Sequence, residues 1–474
     1  MQKNKLRIAF CTPCFKKGPE AFEVFSEGGS SFPSIGLLIL ASIARERGHQ
    51  VFFKDFLNSA RPLERAIEEI VNLEVDCLAI SSNTDMIFQA RELASGIKKL
   101  KPNMIILLGG PHVSSVPVET MKLCRDFDIG FVGEAEQSFS DFLDSDLSVD
   151  ALRGIQGICF RQNGEIVLNE RKPFIGDLDS LPFPAWDLIE DMRIYRPAVT
   201  NYRREPVFSL MTSRGCFGRC IFCDRGIFGN RVRMHSADYV IRMVRQLREQ
   251  YGIREITFYD DNMVFDKKRL KEICALMTKE KQPLSWTCSA RIDLVNEAML
   301  RMLKDAGCWQ ISYGIESGSQ KILDVINKNI TVDKIKQTAG LMKKIGLSMR
   351  GYFIIGSPQE TEESIKESLE LILKLPMDDI LVEYMTPYPG TELYNHIERY
   401  GTMLGDWASL NSYEMNFLPH GMSQELLKEH FFNFYKAFYL RPRIIINYAR
   451  RIKNPLKITD LALRYFKFSR LHKD

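Results

Sequence analysis

Up to about residue 145 the chain repeats one pattern: a short apolar run, a turn, then a longer stretch with apolar positions three and four apart. The runs at 6–11, 50–54, 77–81, 104–108 and 128–132 predict buried strands. The stretches near 35–47, 63–72, 87–100, 118–125 and 137–143 predict helices with one apolar face. Such alternation predicts α/β architecture, a doubly wound parallel sheet with helices on both faces. Ligands of such sheets bind at the carboxyl ends of the strands. There the chain places Gly-rich polar loops at 32–37, 81–83, 109–115 and 133–136. No G-x-G-x-x-G follows the first strand, which argues against NAD or FAD.

Residues 146–200 break the pattern and read as a connector. Segments 158–161 and 165–168 flank Gln162-Asn163-Gly164, a hairpin signal. The run Leu181-Pro182-Phe183-Pro184-Ala185-Trp186 predicts a stiff extended crossing that lays the first unit over the mouth of the second. Alternation resumes over 201–390, with strands expected at 207–211, 255–259, 284–289, 309–314, 348–354 and 379–385. Six parallel strands are too few for a closed eight-stranded barrel, so a partial (β/α)6 barrel is expected. Residues 391–474 read as a small, basic, mostly helical C-terminal region.

Composition narrows the class. The chain has 474 residues, 45% of them apolar and 26% charged, enough for two or three domains with their own cores. Its 11 Cys are scattered, which fits a reducing, cytoplasmic setting better than a disulfide framework. The N-terminus reads as a first strand and not as a signal peptide, and no apolar run approaches the length of a membrane span. Residues 420–474 hold twelve Lys or Arg against four Asp or Glu, a balance of +8 that leaves the rest near −4. Such a body has no nucleic-acid-binding profile. The aromatic and basic C-terminal stretch either caps the barrel with its aromatics or touches an anionic surface such as a membrane or a lipid-linked substrate.

The most informative chemistry is SRGCFGRCIFCDRG, after the strand at 207–211. Cys216, Cys220 and Cys223 can wrap one corner of a cubane. No fourth Cys follows at short spacing, so one iron would stay open for a non-protein ligand. Zinc is the competing reading and would need a fourth protein ligand, for which His235 is the only nearby candidate.

This trio, with Phe222 before the last Cys, resembles the signature of the radical S-adenosylmethionine (SAM) superfamily. The resemblance implies a [4Fe–4S] cluster whose open iron chelates SAM and cleaves it reductively. It also implies a low-potential electron donor of flavodoxin or ferredoxin type. Polar residues at the other barrel strand ends are then candidate SAM contacts. Asp260 and Asp261 can hold an ammonium or cap a helix. Ser289 and Arg291 follow the third strand, with Arg291 suited to clamp a carboxylate. Glu316 is a partner for the SAM ribose or for Arg291, or else a helix cap. Gly356 resembles the close-approach position of the adenine-contact strand.

The first unit resembles the cobalamin-binding domain found ahead of that barrel in one subfamily. The matching pieces are PSIGL (Pro33, Gly36, Leu37), GGPH (Gly109, Gly110, Pro111, His112) and GEAE (Gly133, Glu134, Glu136), with Ser81, Ser82 and Asn83 between them. The D-x-H-x-x-G pattern of cobalt-ligating His is missing, so no His is expected on the cobalt. Together the resemblances imply a cobalamin-dependent radical SAM enzyme acting on a small-molecule or lipid-linked substrate, first of all a C-methyltransferase. Alternatives are a radical cyclase, mutase or oxidative rearrangement enzyme, and a non-enzymatic cluster-bearing sensor or scaffold. Sequence alone leaves the substrate open.

Overall fold

The computed structural model describes residues 5–14, 31–58, 61–197, 199–280 and 284–451. Strands β1 (Arg7–Thr12), β2 (Gln50–Asp55), β3 (Cys77–Ser81), β4 (Ile105–Gly109) and β5 (Ile129–Phe131) lie where the apolar runs predict them. They pair in parallel in the order β2-β1-β3-β4-β5. Alternation along β1 sorts its side chains: Ile8 and Phe10 join the core on one face, Ala9 and Cys11 the core on the other. Helices Ile35–Glu46 and Glu136–Asp144 cover the first face, Leu63–Asn72 and Ile87–Leu100 the second.

The hairpin departs from expectation in its partner. β6 (Ile158–Gln162) and β7 (Glu165–Leu168) form around Asn163 and Gly164, but β6 pairs antiparallel with β5. The connector's first part therefore completes a seven-stranded sheet, and the first unit runs past residue 145. The proline-rich crossing then docks its aromatics. Trp186 and Tyr195 are buried edge-on against Phe208, with ring centroids 5.3 and 6.0 Å away. This joins the two units into one apolar core. Trp186→Ala would cost about 3–5 kcal/mol there.

The second unit is an open parallel sheet of six strands in the order expected. The strands are β8 (Val207–Leu210), β11 (Glu255–Phe258), β12 (Ser285–Ala290), β13 (Cys308–Glu316), β14 (Ser348–Ile355) and β15 (Asp379–Tyr384). Between β8 and β11 sits a small ribbon, β9 (Ser213–Arg214) with β10 (Arg233–Met234). Most outer helices start on a side-chain cap, including Ser236, Asp266, Asn296, Thr331 and Thr361. On β13 Ile311, Tyr313 and Ile315 face the apolar core, while Gln310 and Ser312 face the other way. Thr257 and Thr287 are their neighbours in register, so the concave face is polar.

The described part of the C-terminal region caps the barrel. Phe431 of helix Gln424–Tyr439 stacks on Tyr384 at 4.3 Å, and the Tyr435 hydroxyl donates to the Val382 carbonyl at 2.8 Å. Residues 452–474 lie outside the described residues. Among the described residues no helix is long and apolar enough to cross a membrane.

Candidate functional site

The three cysteines sit on a loop closed at its base by the β9–β10 ribbon. The loop leaves through Gly215, at φ +86°, where a Cβ would stand 2.5 Å from the Arg231 carbonyl. It is then strapped to the barrel. The Ile221 amide donates to Ile326 O at 3.2 Å, and Leu393 N donates to Ile221 O at 3.0 Å. Phe222 joins Ile221, Ile322 and Ile326 in a small apolar cluster beneath. Cys216, Cys220 and Cys223 all open onto one cavity of about 430 Å³. A hydrogen bond from Cys223 pulls the Cys220 thiol down, and that shared proton and burial hold Cys223 up. Three thiols converging on one cavity fit a [4Fe–4S] cluster. His235 is not among the cavity's lining residues and bonds Asp179 at 3.1 Å, so it does not supply the fourth ligand that the zinc alternative needs.

Around the loop the structure reassigns several predicted residues. Asp260 is buried and accepts from Thr212 N at 2.8 Å and Ser213 Oγ at 2.6 Å. It braces the strand end that launches the loop and does not face the cavity; Asp261, its neighbour, lines it. Arg291 forks onto Asp293, Nε to Oδ1 at 3.0 Å and Nη2 to Oδ2 at 3.2 Å, and donates to Lys328 O. Only its Nη1 reaches the cluster loop, 3.2 Å from where a Gly218 Cβ would stand. Glu316 pairs with Lys328 and not with Arg291, and it lies on β13 with a left-handed φ of 66°. Lys328 was missed from sequence; its charge adds to the Cys223 hydrogen bond in drawing the Cys220 thiol down. Ser289 lies partly accessible on β12, opposite Ser312. Gly356 (φ +86°) backs onto Leu427, and its amide donates to buried Glu360, whose carboxyl burial pushes up to about 8.

A second cavity, about 400 Å³, runs between the carboxyl ends of the first sheet and the barrel mouth. Pro33, Gly36, Leu37, Ser81, Gly109, Gly110, Pro111, Gly133, Glu134 and Glu136 line it from one side, and Met211, Arg214, Phe228 and Tyr259 from the other. Gly36, Gly109 and Gly133 have no atom within 4 Å of where a Cβ would stand, so their missing side chains leave an open cradle. A flat macrocycle such as a corrin fits that floor. Gly110 is different: at φ +103° its Cβ would meet Ser82 O at 2.6 Å.

Three predicted contacts lie off this groove. Ser82 is buried behind it and holds the Gly109–His112 turn by its backbone. Asn83 faces the cysteine cavity. His112 is fully buried, with Nδ1 3.2 Å from Thr84 Oγ1 and its ring edge-on to Trp407 at 4.5 Å. Burial lowers it to about 4.

The carboxylates of GEAE are engaged by the barrel. Arg214 Nη1 donates to Glu134 Oε1 at 3.0 Å and its Nη2 to Glu136 Oε1 at 2.5 Å, while Arg233 Nη1 reaches Glu134 Oε2 at 2.7 Å. All four side chains are buried. Ser115 Oγ donates to Asp224 at 2.8 Å, and Arg171 bridges Ser114 O and Gly226 O. The cysteine loop is thus stitched to the first unit, and Pro111, Ile227 and Phe228 line both cavities. An Arg beside the first Cys and unpaired acids in a Gly-rich loop were the available signal.

Comparison with known proteins meets this geometry. The profile of the radical SAM superfamily matches residues 210–372, and that of the B12 binding domain residues 24–143. An uncharacterized methyltransferase of Pyrococcus horikoshii is 32% identical over 88% of this chain and 90% of its own length. The chain belongs to the radical SAM superfamily, in the group that carries a B12-binding domain. The anaerobic magnesium-protoporphyrin IX monomethyl ester cyclase of Cereibacter sphaeroides is 24% identical over 92% of this chain and 71% of that protein. The solved cobalamin-dependent radical SAM enzyme OxsB superposes with a TM-score of 0.75 at 17% identity, over 98% of this chain and 72% of that one. The methyltransferase TsrM of Kitasatospora setae gives 0.70 at 15%, over 93% and 90%. These likenesses show a shared fold. As a member of this group, the protein uses SAM, a [4Fe–4S] cluster and cobalamin.

Proposed function

We propose that this protein is a methyltransferase that cleaves SAM reductively and places a methyl group on an unactivated carbon of a small molecule. The carrying observation is the wall of Pro111, Ile227 and Phe228, shared by the cysteine cavity and the glycine cradle. On this reading the two adjoining cavities hold the two cofactors side by side over one barrel mouth. When bound, the cluster with SAM supplies a carbon radical and cobalamin supplies the methyl carrier.

Cys216, Cys220 and Cys223 are the proposed cluster ligands. Asp261, accessible on the cavity wall, is the proposed partner of the SAM ammonium. The Nη1 of Arg291, and Lys328 with Glu316, set the charge beside the cluster. The cradle of Gly36, Gly109 and Gly133 is the proposed seat of the corrin, with no His from the first unit beneath it. Electrons come from a flavodoxin- or ferredoxin-type donor. The 32% identical relative named a methyltransferase supports this reading over the cyclase one.

The test is anaerobic reconstitution with iron, sulfide, cobalamin and SAM carrying a labelled methyl. Release of 5′-deoxyadenosine and label in a small-molecule product are expected. Absence of 5′-deoxyadenosine under strong reductant would overturn the reading; a product without label would turn it toward cyclisation or rearrangement.

A further inference from the structure

The C-terminal cap has two faces, and the barrel uses one of them. Helix Pro442–Arg451 turns Ile444 and Tyr448, four residues apart, into the core, and the Tyr448 hydroxyl donates to Asp379 Oδ1 at 2.8 Å. Asp379 is the first residue of β15, so this helix packs at the pole opposite the cavities, which lie at the strands' carboxyl ends. On its other side Ile445 and Ile446 are each about half exposed, as is Leu440 just before the helix. Leu373, in the last turn of helix Glu362–Lys374, is exposed too, and Arg441 Nη1 donates to its carbonyl at 3.1 Å. Apolar side chains scattered singly over a surface need no partner, but a gathered set marks a contact.

The cations among these side chains are not answered by acids. Arg441 Nε donates to Phe438 O at 3.1 Å and Arg443 Nη2 to Met377 O at 2.7 Å, so both guanidiniums meet carbonyls. Neither has a carboxylate partner among the described residues. Burial and the neighbouring Arg443 hold the Arg441 guanidinium below its ordinary range. Segment 440–451 carries four Arg and no Asp or Glu. Residues 452–474 add six Lys or Arg against two Asp, so they repeat the sign of this face and do not neutralise it. A second copy of the chain would bring the same charge again. Aliphatic side chains beside unanswered cations, on the outside of a helix, match a layer with anionic heads over an apolar interior.

We propose that Leu440, Ile445 and Ile446, with Arg441 and Arg443, dock the protein on an anionic lipid bilayer. The inner face of the same helix caps the barrel, so one element serves both purposes. Docking by this pole turns the two cavities away from the bilayer; the surface holds the protein in place and does not feed its chamber. The inference goes beyond the methyltransferase reading and does not depend on it.

The test is co-sedimentation of full-length protein, loaded with cluster and cobalamin, with two kinds of vesicle. One is phosphatidylcholine alone, the other equal parts phosphatidylcholine and phosphatidylglycerol. At low salt, partition onto the anionic vesicles should be at least about tenfold stronger than onto the zwitterionic ones, and it should fall as salt rises. Ile445→Glu combined with Ile446→Glu should weaken it by at least about tenfold. Arg443→Gln should weaken it by about fivefold. Iron and cobalamin content, with the unfolding midpoint, report whether each variant has folded. Equal binding to both vesicles, or binding that the double variant or Arg443→Gln retains in full, would overturn the proposal. So would no binding to either, which a face covered by residues 452–474 would give. A dimer seen by sedimentation velocity without vesicles, and split by the double variant, would make a second copy the occupant and overturn it as well. Vesicle binding needs no SAM cleavage, so its outcome stands apart from the 5′-deoxyadenosine assay.

Discussion

The two α/β units are built alike and finished differently. Both are parallel sheets whose strands alternate with helices, and both aim their carboxyl ends at the same space. The first ends its strands in glycines with open room above them. The second ends its strands in thiols, arginines and acids, most already bonded to a neighbour. One surface therefore offers shape and the other donor chemistry. Topology places a site, and the few residues after each strand decide what it holds.

The harshest way to break that contrast is at the thiols. Cys220→Ala should remove most cluster iron and all 5′-deoxyadenosine, whereas Cys274→Ala or Cys308→Ala, both core positions, should keep the iron. Iron and sulfide assays decide, and unchanged iron in Cys220→Ala would refute the donor-chemistry half. Next is the seam. Arg214→Ala leaves buried Glu136 without its counter-charge and Glu134 with Arg233 alone, and should cost about 3–5 kcal/mol by denaturant unfolding. The shape half is sharpened by adjacent glycines. Gly110→Ala forces a clash and a left-handed alanine, costing about 1–3 kcal/mol. Gly109→Ala meets only open space, so stability should move by less than about 0.5 kcal/mol while cobalamin affinity falls. If Gly109→Ala binds cobalamin normally, the cradle is not the seat.

A pH-dependent test lies at Glu360, away from both cavities. Its carboxyl is raised from 4.5 to about 8 in the fold, so the buried neutral form stabilises most fully below pH 4.5, and that contribution is lost as pH rises towards 8. Relative to E360Q, wild type should lose at most about 1.4 kcal/mol per pH unit across that window. Parallel pH–stability curves for the two proteins would contradict the assignment.

The strands were legible because buried runs announce themselves, and β1 to β5 and the six barrel strands fall within a few residues of their apolar segments. The cysteine loop was legible because its three thiols are neighbours in sequence. What stayed hidden depends on distant partners. Asp260 and Asp261 are adjacent, yet one turns inward to Thr212 and the other to the cavity, and spacing cannot say which. Glu134 finds Arg214 eighty residues away, so an acid read as a cofactor contact proves to pin two units together. The hairpin was visible, but its pairing with β5 is a long-range choice that no local turn signal carries.

That hairpin settles a matter of routing. A chain running up β5 ends at the pole where the cavities lie, and β6 carries it down to the opposite pole. Had the sheet gained that strand alone, the connector would have begun far from the site. β7 reverses direction once more and returns the chain to the upper pole. There Arg171 at once bridges the two units, and the Ile175 amide donates to Glu134. Two short strands, an even number, thus deliver the connector to the side where it has contacts to make.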